Sequence, residues 1–220
     1  NTTFKPPDYE FKFVGAFNAN HARVRDLRAL RIDPRRGATR TDGHFGIQEA
    51  FVDKHLRNVS DQYDFDSLRV GIQPVISDFR GFVFNDTPFA VRLFGTRDNN
   101  RWQYNLVVFQ RLEKDTNSGL NDAFTRWRSD YTLMANAYRQ DWPVLGHTVQ
   151  GTVLYNINRE GNQGPYYDRN GFLIRPAVIG DGRKRNYEVA YLGLNGDGHF
   201  GRWNLTSSGY LALGNASYDP

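Results

Sequence analysis

Residues Arg101–Leu112 read RWQYNLVVFQRL, and their side chains alternate in character along the whole stretch. The even positions carry Trp102, Tyr104, Leu106 and Val108, and the odd positions carry Gln103, Asn105, Val107, Phe109 and Arg111. Successive side chains of a β-strand point to opposite faces of the sheet. The stretch therefore predicts a strand with one apolar face and one face that mixes polar and apolar groups.

The same period of two recurs along the chain and predicts an all-β protein with nine strands. They are Tyr9–Val24, Phe45–Arg57, Tyr63–Gln73, Thr87–Gly95, Arg101–Leu112, Asp130–Gln140, His147–Asn158, Tyr187–Leu194 and Arg202–Leu213. Two of them alternate less cleanly. Phe45–Arg57 has apolar residues on both faces, and Tyr187–Leu194 is apolar at nearly every position after Glu188.

The connections between these strands alternate between long loops and short turns. Each long loop, rich in Arg, Pro, Asp, Asn or Gly, leads into a strand that ends in a short turn. The last predicted turn is Asn195–Gly198. Barrels of the bacterial outer membrane have short periplasmic turns and long extracellular loops. The rhythm favours an antiparallel, up-and-down transmembrane β-barrel. A soluble β-sandwich shows the same alternation of strand faces and is the rival interpretation.

The composition excludes several other classes of protein. Without cysteine the chain can form neither disulfides nor Cys-based metal sites. A net charge of +4 is too small for a polybasic nucleic-acid binder, so no nucleic-acid partner is predicted. No apolar run approaches the ~20 residues of a membrane helix. The mean hydropathy of −0.65 is compatible with a barrel, because only every second residue of a strand faces lipid.

Four large aromatic residues cluster at one end of the predicted sheet. Trp102 and Trp203 open strands that follow short turns, Tyr63 opens another, and Trp142 lies within a short turn. Amphipathic rings prefer the headgroup level of a membrane, so these four residues are the predicted aromatic girdle. A sandwich would tend to bury tryptophan in the middle of a strand.

The polar faces of the strands supply the candidates for a barrel lumen. The predicted lumen-facing residues are Glu49, Asp53, Arg69, Gln73, Arg92, Gln103, Asn105, Arg111, Asn136, Gln150, Asn156 and Asn204. Opposed basic and acidic side chains across a lumen would select solutes by charge. An error of one residue in the strand register would move the whole set to the other face.

An Arg-rich stretch lies between the first two predicted strands. Its members are Arg23, Arg25, Arg28, Arg31, Arg35, Arg36 and Arg40. At a pore mouth they would attract anions or bind the phosphates of lipopolysaccharide. A solvated loop whose arginines pair with Asp26, Asp33 and Asp42 is the favoured interpretation.

The sequence shows no motif for catalysis, a cofactor or a metal. The five histidines lack H-E-x-x-H spacing, and no nucleophile elbow, Walker loop or dinucleotide fingerprint occurs. The run from Asp115 to Asn121 resembles a calcium loop, but Arg126 stands where such a loop needs a bidentate glutamate. An Asx-rich turn is therefore favoured there. No catalytic residue, cofactor or metal is predicted.

An odd number of strands raises the question of closure. Single-chain bacterial barrels normally have an even number, and an open edge in lipid leaves backbone groups unpaired. We therefore expect residues 1–220 to be a single barrel domain or a fragment of a larger one. A further strand within Arg159–Lys184 is the alternative.

Two sets of residues resemble known outer-membrane proteins. The run Gln48–Asp53 followed by Leu68–Gln73 resembles a hairpin of Gram-negative porins of the alginate-export and phosphate-selective type. The segments Ser77–Phe82, Arg92–Gly95, Asp98–Arg101 and Glu113–Gly119 resemble long outer-membrane proteins of uncharacterised function. The resemblance implies a signal peptide and a closing C-terminal strand, so residues 1–220 are expected to be a fragment, and it defines no substrate.

These observations lead to one prediction and two alternatives. The predicted protein is a non-enzymatic, porin-like channel of the bacterial outer membrane through which small polar or charged solutes diffuse. Its predicted partners are outer-membrane lipid and lipopolysaccharide, and a homo-oligomer or an envelope complex is left open. The alternatives are a structural or partner-binding barrel with a plugged lumen and, less favoured, a β-fold hydrolase.

Overall fold

The computed structural model describes residues 7–23, 39–164, 166–167, 173–175 and 184–217. The strands are β1 (Tyr9–Arg23), β2 (Thr39–Asn58), β3 (Phe65–Ile72), β4 (Val75–Ile76), β5 (Asn85–Asp86), β6 (Phe89–Arg97), β7 (Trp102–Lys114), β8 (Asn121–Arg139), β9 (His147–Arg159), β10 (Asn186–Phe200) and β11 (Trp203–Ala216). Within these ranges no helix has the length and hydropathy needed to cross a membrane.

Nine strands form one antiparallel sheet in the order β1-β2-β3-β6-β7-β8-β9-β10-β11, and β4 pairs with β5 in a separate small hairpin. All nine predicted strands are present, and each pairs with its neighbours along the chain apart from the inserted β4–β5 hairpin. The prediction of an all-β, antiparallel, up-and-down sheet is therefore confirmed. In the described residues β1 and β11 each pair on one side only, and no pairing closes the sheet.

The predicted turn at Asn195–Gly198 is wrong. These residues continue β10 and pair with both β9 and β11. The chain reverses at Gly201 and Arg202, where Gly201 has a φ of 61°. Two-residue hairpins need such left-handed conformations, which favour glycine. Turn-forming composition is only a local preference, and pairing on both sides of β10 overrides it.

The two ends of the sheet carry different connections. At the end called here the loop end the connections between strands are numbered 24–38, 73–88, 115–120 and 160–185, of which 24–38, 165, 168–172 and 176–183 lie outside the described residues. At the turn end the connections are 59–64, 98–101, 140–146 and 201–202. Three of the four loop-end connections are longer than any at the turn end. Residues 115–120 are the exception, because β8 begins at Asn121 and not at the predicted Asp130.

The sheet curls strongly toward one face. In sheet order β2 and β8 are four strand spacings apart, about 19 Å on a flat sheet. Nevertheless the side-chain amide of Asn121 on β8 donates to the carbonyl oxygen of Ile47 on β2 at 2.9 Å. The loop-end parts of β2 and β8 therefore meet above the shorter β3 and β6.

The face away from this curl, called the outer face, is apolar across every strand. Directly paired positions form one row, the outer row: Phe11, Val52, Val70, Val91, Val108, Leu133, Tyr155, Ala190 and Leu213. Apart from Ala190, these side chains are between 36% and 74% exposed. Exposed apolar surface that is continuous over nine strands is the signature of an interaction surface.

The opposite, inner face is covered by the connection between β3 and β6, called the inserted loop (residues 73–88). It contains β4 and β5, which the sequence did not predict because strands of two residues carry no periodic signal. Val75 is 3% exposed and belongs to a buried cluster with side chains of β6, β7, β8 and β9. The rings of Phe84 and Phe109 lie 4.5 Å apart.

Replacing Val75 with alanine is expected to loosen the inserted loop. Two buried methyl groups are lost, which should lower the free energy of unfolding by about 1.5 kcal/mol. Amide hydrogen exchange of residues 75–86 should accelerate. Ile76→Ala is the matched control, because Ile76 is 46% exposed and its loss should cost only about 0.5 kcal/mol. Equal exchange rates in both variants would contradict the packing of the inserted loop on the inner face through Val75.

Candidate functional site: the inner face and its inserted loop

The inner face holds the residues that the sequence predicted for a lumen. Strand register places on this face Glu49, Asp53, Arg69, Arg92, Gln103, Asn105, Asn136, Gln150, Asn156 and Asn204. Arg111 lies at a bulge of β7 and contacts Asp130 at 3.5 Å. Gln73 follows β3 at the root of the inserted loop, fully buried, and donates to the carbonyl of Ala90. Their role in a lumen stays a prediction.

The inserted loop is held to the inner face through the carbonyl oxygen of Ser77. This oxygen accepts hydrogen bonds from Asn136 Nδ2 at 3.3 Å, Gln150 Nε2 at 2.8 Å and Thr152 Oγ1 at 3.2 Å. Three donors on β8 and β9 therefore converge on one backbone atom. The polar rows of these strands satisfy the buried backbone of the loop.

Asp78 shapes the tip of the inserted loop. Its carboxylate accepts hydrogen bonds from the backbone amides of Arg80 and Phe82 and, at 2.8 Å, from the hydroxyl of Tyr210 on β11. Burial acts to raise the pKa of Asp78, but the hydrogen bonds from Ser77, Phe82 and Tyr210 outweigh it and lower the pKa. A charged Asp78 thus ties the loop to the last strand of the sheet.

A row of charged side chains crosses β2, β3 and β6 beside the loop. Arg69 donates from Nε and Nη2 to Asp53 Oδ2 at 3.0 and 2.7 Å. Arg92 stands directly opposite Arg69 in the sheet, and its guanidinium donates to Asn105 Oδ1. The guanidinium of Arg69 also stacks on Phe51, 4.3 Å from the ring centre.

A cavity of about 250 Å³ lies between the inserted loop and the sheet. Arg92, Asn105, Asn136 and Tyr138 form its polar part, and Val75, Val107 and Met134 are among its apolar walls. The Oδ1 atom of Asn136 is buried and has no hydrogen-bond partner among the described residues. The cavity is thus bounded by one guanidinium and by neutral groups.

Near the loop end a cluster of buried ion pairs joins β7, β8 and the β9–β10 connection. Arg175 donates to Glu160 Oε2 and to Glu113 Oε1, both at 2.7 Å, and Arg128 donates to Glu160 Oε2 at 3.0 Å. Arg128 also donates to Asp130 Oδ2 at 2.9 Å. Burial acts to raise the pKa of Glu160, but the bonds from Arg128 and Arg175 outweigh it and hold the pKa at about 2.

Asn121 is a second buried junction at the loop end. The side-chain Nδ2 of Asn121 donates to the backbone oxygen of Ile47 and to both the backbone oxygen and Oγ1 of Thr87. The backbone oxygen of Asn121 lies 3.0 Å from His44 Nε2. It therefore joins β2, β8 and the end of the inserted loop. The sequence placed Asn121 in a loop, where its polar side chain gave no sign of burial.

The four predicted girdle residues all lie at the turn end. Trp102 opens β7, Trp203 opens β11, Tyr63 lies in the β2–β3 connection and Trp142 in the β8–β9 connection. They are between 46% and 79% exposed. The remaining tryptophan, Trp127, lies near the loop end of β8 and packs against Phe89 with ring centres 5.1 Å apart. The sequence missed it because the start of β8 was placed too late.

The other candidate segments are only partly described. Arg25, Arg28, Arg31, Arg35 and Arg36 lie outside the described residues, together with Asp26 and Asp33. Residues 115–119 form a turn, in which the Asp115 carboxylate accepts from the amide and hydroxyl of Ser118 at 2.8 and 2.6 Å and the Asp115 carbonyl accepts from the amide of Gly119. In the described ranges no three His, Cys, Asp or Glu side chains are grouped so that they could hold a metal ion.

Comparison of this chain with protein-family models, with curated protein sequences and with solved structures finds no match.

Proposed function

We propose that this chain forms the wall of an outer-membrane β-barrel that acts as a porin-like channel for small polar or charged solutes. The observation that carries the proposal is the outer row, which is apolar across nine neighbouring strands of the sheet and solvent-exposed on all of them except β10. In water such a surface would drive association. In a bilayer the same surface is matched by acyl chains.

The spacing of the aromatic residues supports the proposal. Trp127 on β8 pairs with Leu112 on β7. Leu112 lies ten residues from Trp102 along β7. At about 3.3 Å per residue this separation is about 33 Å along the strand, or about 25 Å along a barrel axis at a tilt of about 40°. The apolar band of outer-membrane barrels is about 25 Å tall and is flanked by aromatic girdles.

A path for solutes would run along the inner face. This face carries polar and charged side chains beside the apolar cluster under the inserted loop, and the loop would narrow the path in the middle of the barrel. Closure would require strands that pair with the free edges of β1 and β11, since an unpaired edge is too costly in lipid. We propose that further strands, from the same protein or from a partner subunit, occupy these edges.

A plugged structural barrel is the second candidate, and the inserted loop favours it. The loop crosses the inner face from β6 to β11 and buries Val75 and Ser77. A lumen filled in this way would conduct little, and the barrel would then serve as an anchor in an envelope assembly.

Two measurements on the full-length protein separate these possibilities. Folded barrels migrate differently on detergent gels before and after boiling, and they fractionate with outer membranes. We expect both properties here. In planar bilayers a steady, step-wise current supports the channel, and a folded membrane protein without current supports the scaffold. A protein that stays in the aqueous fraction with unchanged migration would disprove both.

A further inference from the structure

The cavity beneath the inserted loop contains a guanidinium whose charge is not neutralised by a carboxylate. Arg92 donates from Nε and Nη2 to Asn105 Oδ1, a neutral acceptor. Among the described residues no carboxylate forms an ion pair with Arg92, and its Nη1 has no hydrogen-bond partner. The free edge of the guanidinium is therefore available to a ligand.

The neighbouring charges make the positive charge of Arg92 electrostatically unfavourable. Arg69 is the direct cross-strand partner of Arg92, and like charges in that arrangement repel each other. The nearby Asp53 is already engaged by Arg69 at 2.7 Å. These three side chains therefore carry one excess positive charge on a partly buried face. An anion at Arg92 would offset the cost of leaving that charge without a partner.

The shape and the walls of the cavity narrow the class of anion. Its volume of about 250 Å³ is many times the ~10–15 Å³ that one water molecule needs, so a small organic anion fits. Beyond Arg92 the walls offer apolar surface from Val75, Val107 and Met134. A single guanidinium matches the one negative charge and planar fork of a carboxylate. Phosphate would bring up to two charges and no apolar part.

We propose that this cavity binds a short-chain monocarboxylate. The carboxylate accepts from the Nη1 edge of Arg92, and the carbon chain packs against Val75, Val107 and Met134. The hydroxyl of Tyr138 accepts from Asn136 at 3.3 Å, which leaves its own proton free to donate to the second carboxylate oxygen. The role of this site as a binding position along a solute path rests on the proposed function.

Met134, the single methionine of residues 1–220, gives a direct test. Met134 is 2% exposed and lines the cavity, so a methyl-¹³C methionine label reports from inside the site. In detergent micelles, butyrate should shift the Met134 methyl resonance to saturation. Butyramide has the same shape without the charge, and it should bind at least about tenfold more weakly.

Variants separate the site from unspecific effects. Arg92→Gln should weaken butyrate binding by at least about tenfold, because a hydrogen-bonded charge pair is lost. Arg80→Gln is the matched control, since Arg80 is an exposed arginine of the inserted loop that donates to Thr206 on β11, and this variant should bind butyrate normally. The proposal is overturned if butyrate does not shift the resonance, if butyramide binds equally well, or if both variants behave alike.

The outcome is independent of the channel. If the protein conducts in bilayers but butyrate does not shift the Met134 resonance, the proposed function stands and this binding site is disproved. A protein that binds butyrate through Arg92 without conducting retains the site and loses the channel.

Discussion

Replacing Leu133 with arginine is expected to destabilise the folded protein strongly in a bilayer. Leu133 lies on β8 within the outer row, between Val108 and Tyr155, and is 53% exposed. An arginine on the lipid face at the middle of a barrel costs about 2–4 kcal/mol. In water the same change at an exposed position would cost about 0.5 kcal/mol or less. The size of the effect therefore reports which solvent the outer row contacts.

The measurement is the free energy of unfolding in lipid vesicles, together with the fraction of protein that reaches the heat-modifiable form. Ala137→Arg is the matched control, because Ala137 lies on the same strand and face, four residues closer to the turn end, and is exposed. At that depth an arginine should cost about 0–1 kcal/mol. If both variants fold like the unaltered protein, the outer row does not contact lipid.

The periodic parts of the fold could be predicted from the sequence, because the two faces of a strand contact different surroundings. Its residues therefore alternate in polarity with a period of two. The apolar face of Val108 was predicted in this way, and in the sheet Val108 pairs directly with Val91 and Leu133 on that face. Strand ends were less accurate. The bulges between Gln110 and Glu113 interrupt the alternation that would have shown where β8 begins.

The inserted loop could not be predicted, because its position depends on contacts between residues far apart in the chain. Ser77 carries no sequence signal for three donors on β8 and β9, and Asp78 none for Tyr210, which is 132 positions away. The same holds for the charge imbalance at Arg92, which depends on Arg69 pairing with Asp53. The polar faces indicated where a site would lie, while its chemistry depended on the path of the loop.

Replacing Glu160 with glutamine is expected to cost about 3 kcal/mol of folding free energy near neutral pH. Glu160 is 3% exposed and accepts hydrogen bonds from both Arg128 and Arg175. Its pKa falls from the ordinary 4.5 to about 2 in the folded protein. That difference corresponds to about 3 kcal/mol. Removing one partner of a buried ion pair typically costs about 3–5 kcal/mol, which is the same range.

The pH dependence distinguishes this mechanism from a packing defect. Because the folded-state pKa is lowered, the stabilisation is fully present above pH 4.5 and disappears as the pH falls toward 2. Urea unfolding of the two proteins in detergent should therefore give curves that differ at pH 7 and converge between pH 4.5 and 2. Glu188→Gln provides the control, because the ion pair of Glu188 with Arg159 is solvent-exposed and its loss should leave stability nearly unchanged. A difference between Glu160→Gln and the unaltered protein that stays constant down to pH 2 would show that lost packing, and not lost charge, destabilises the variant.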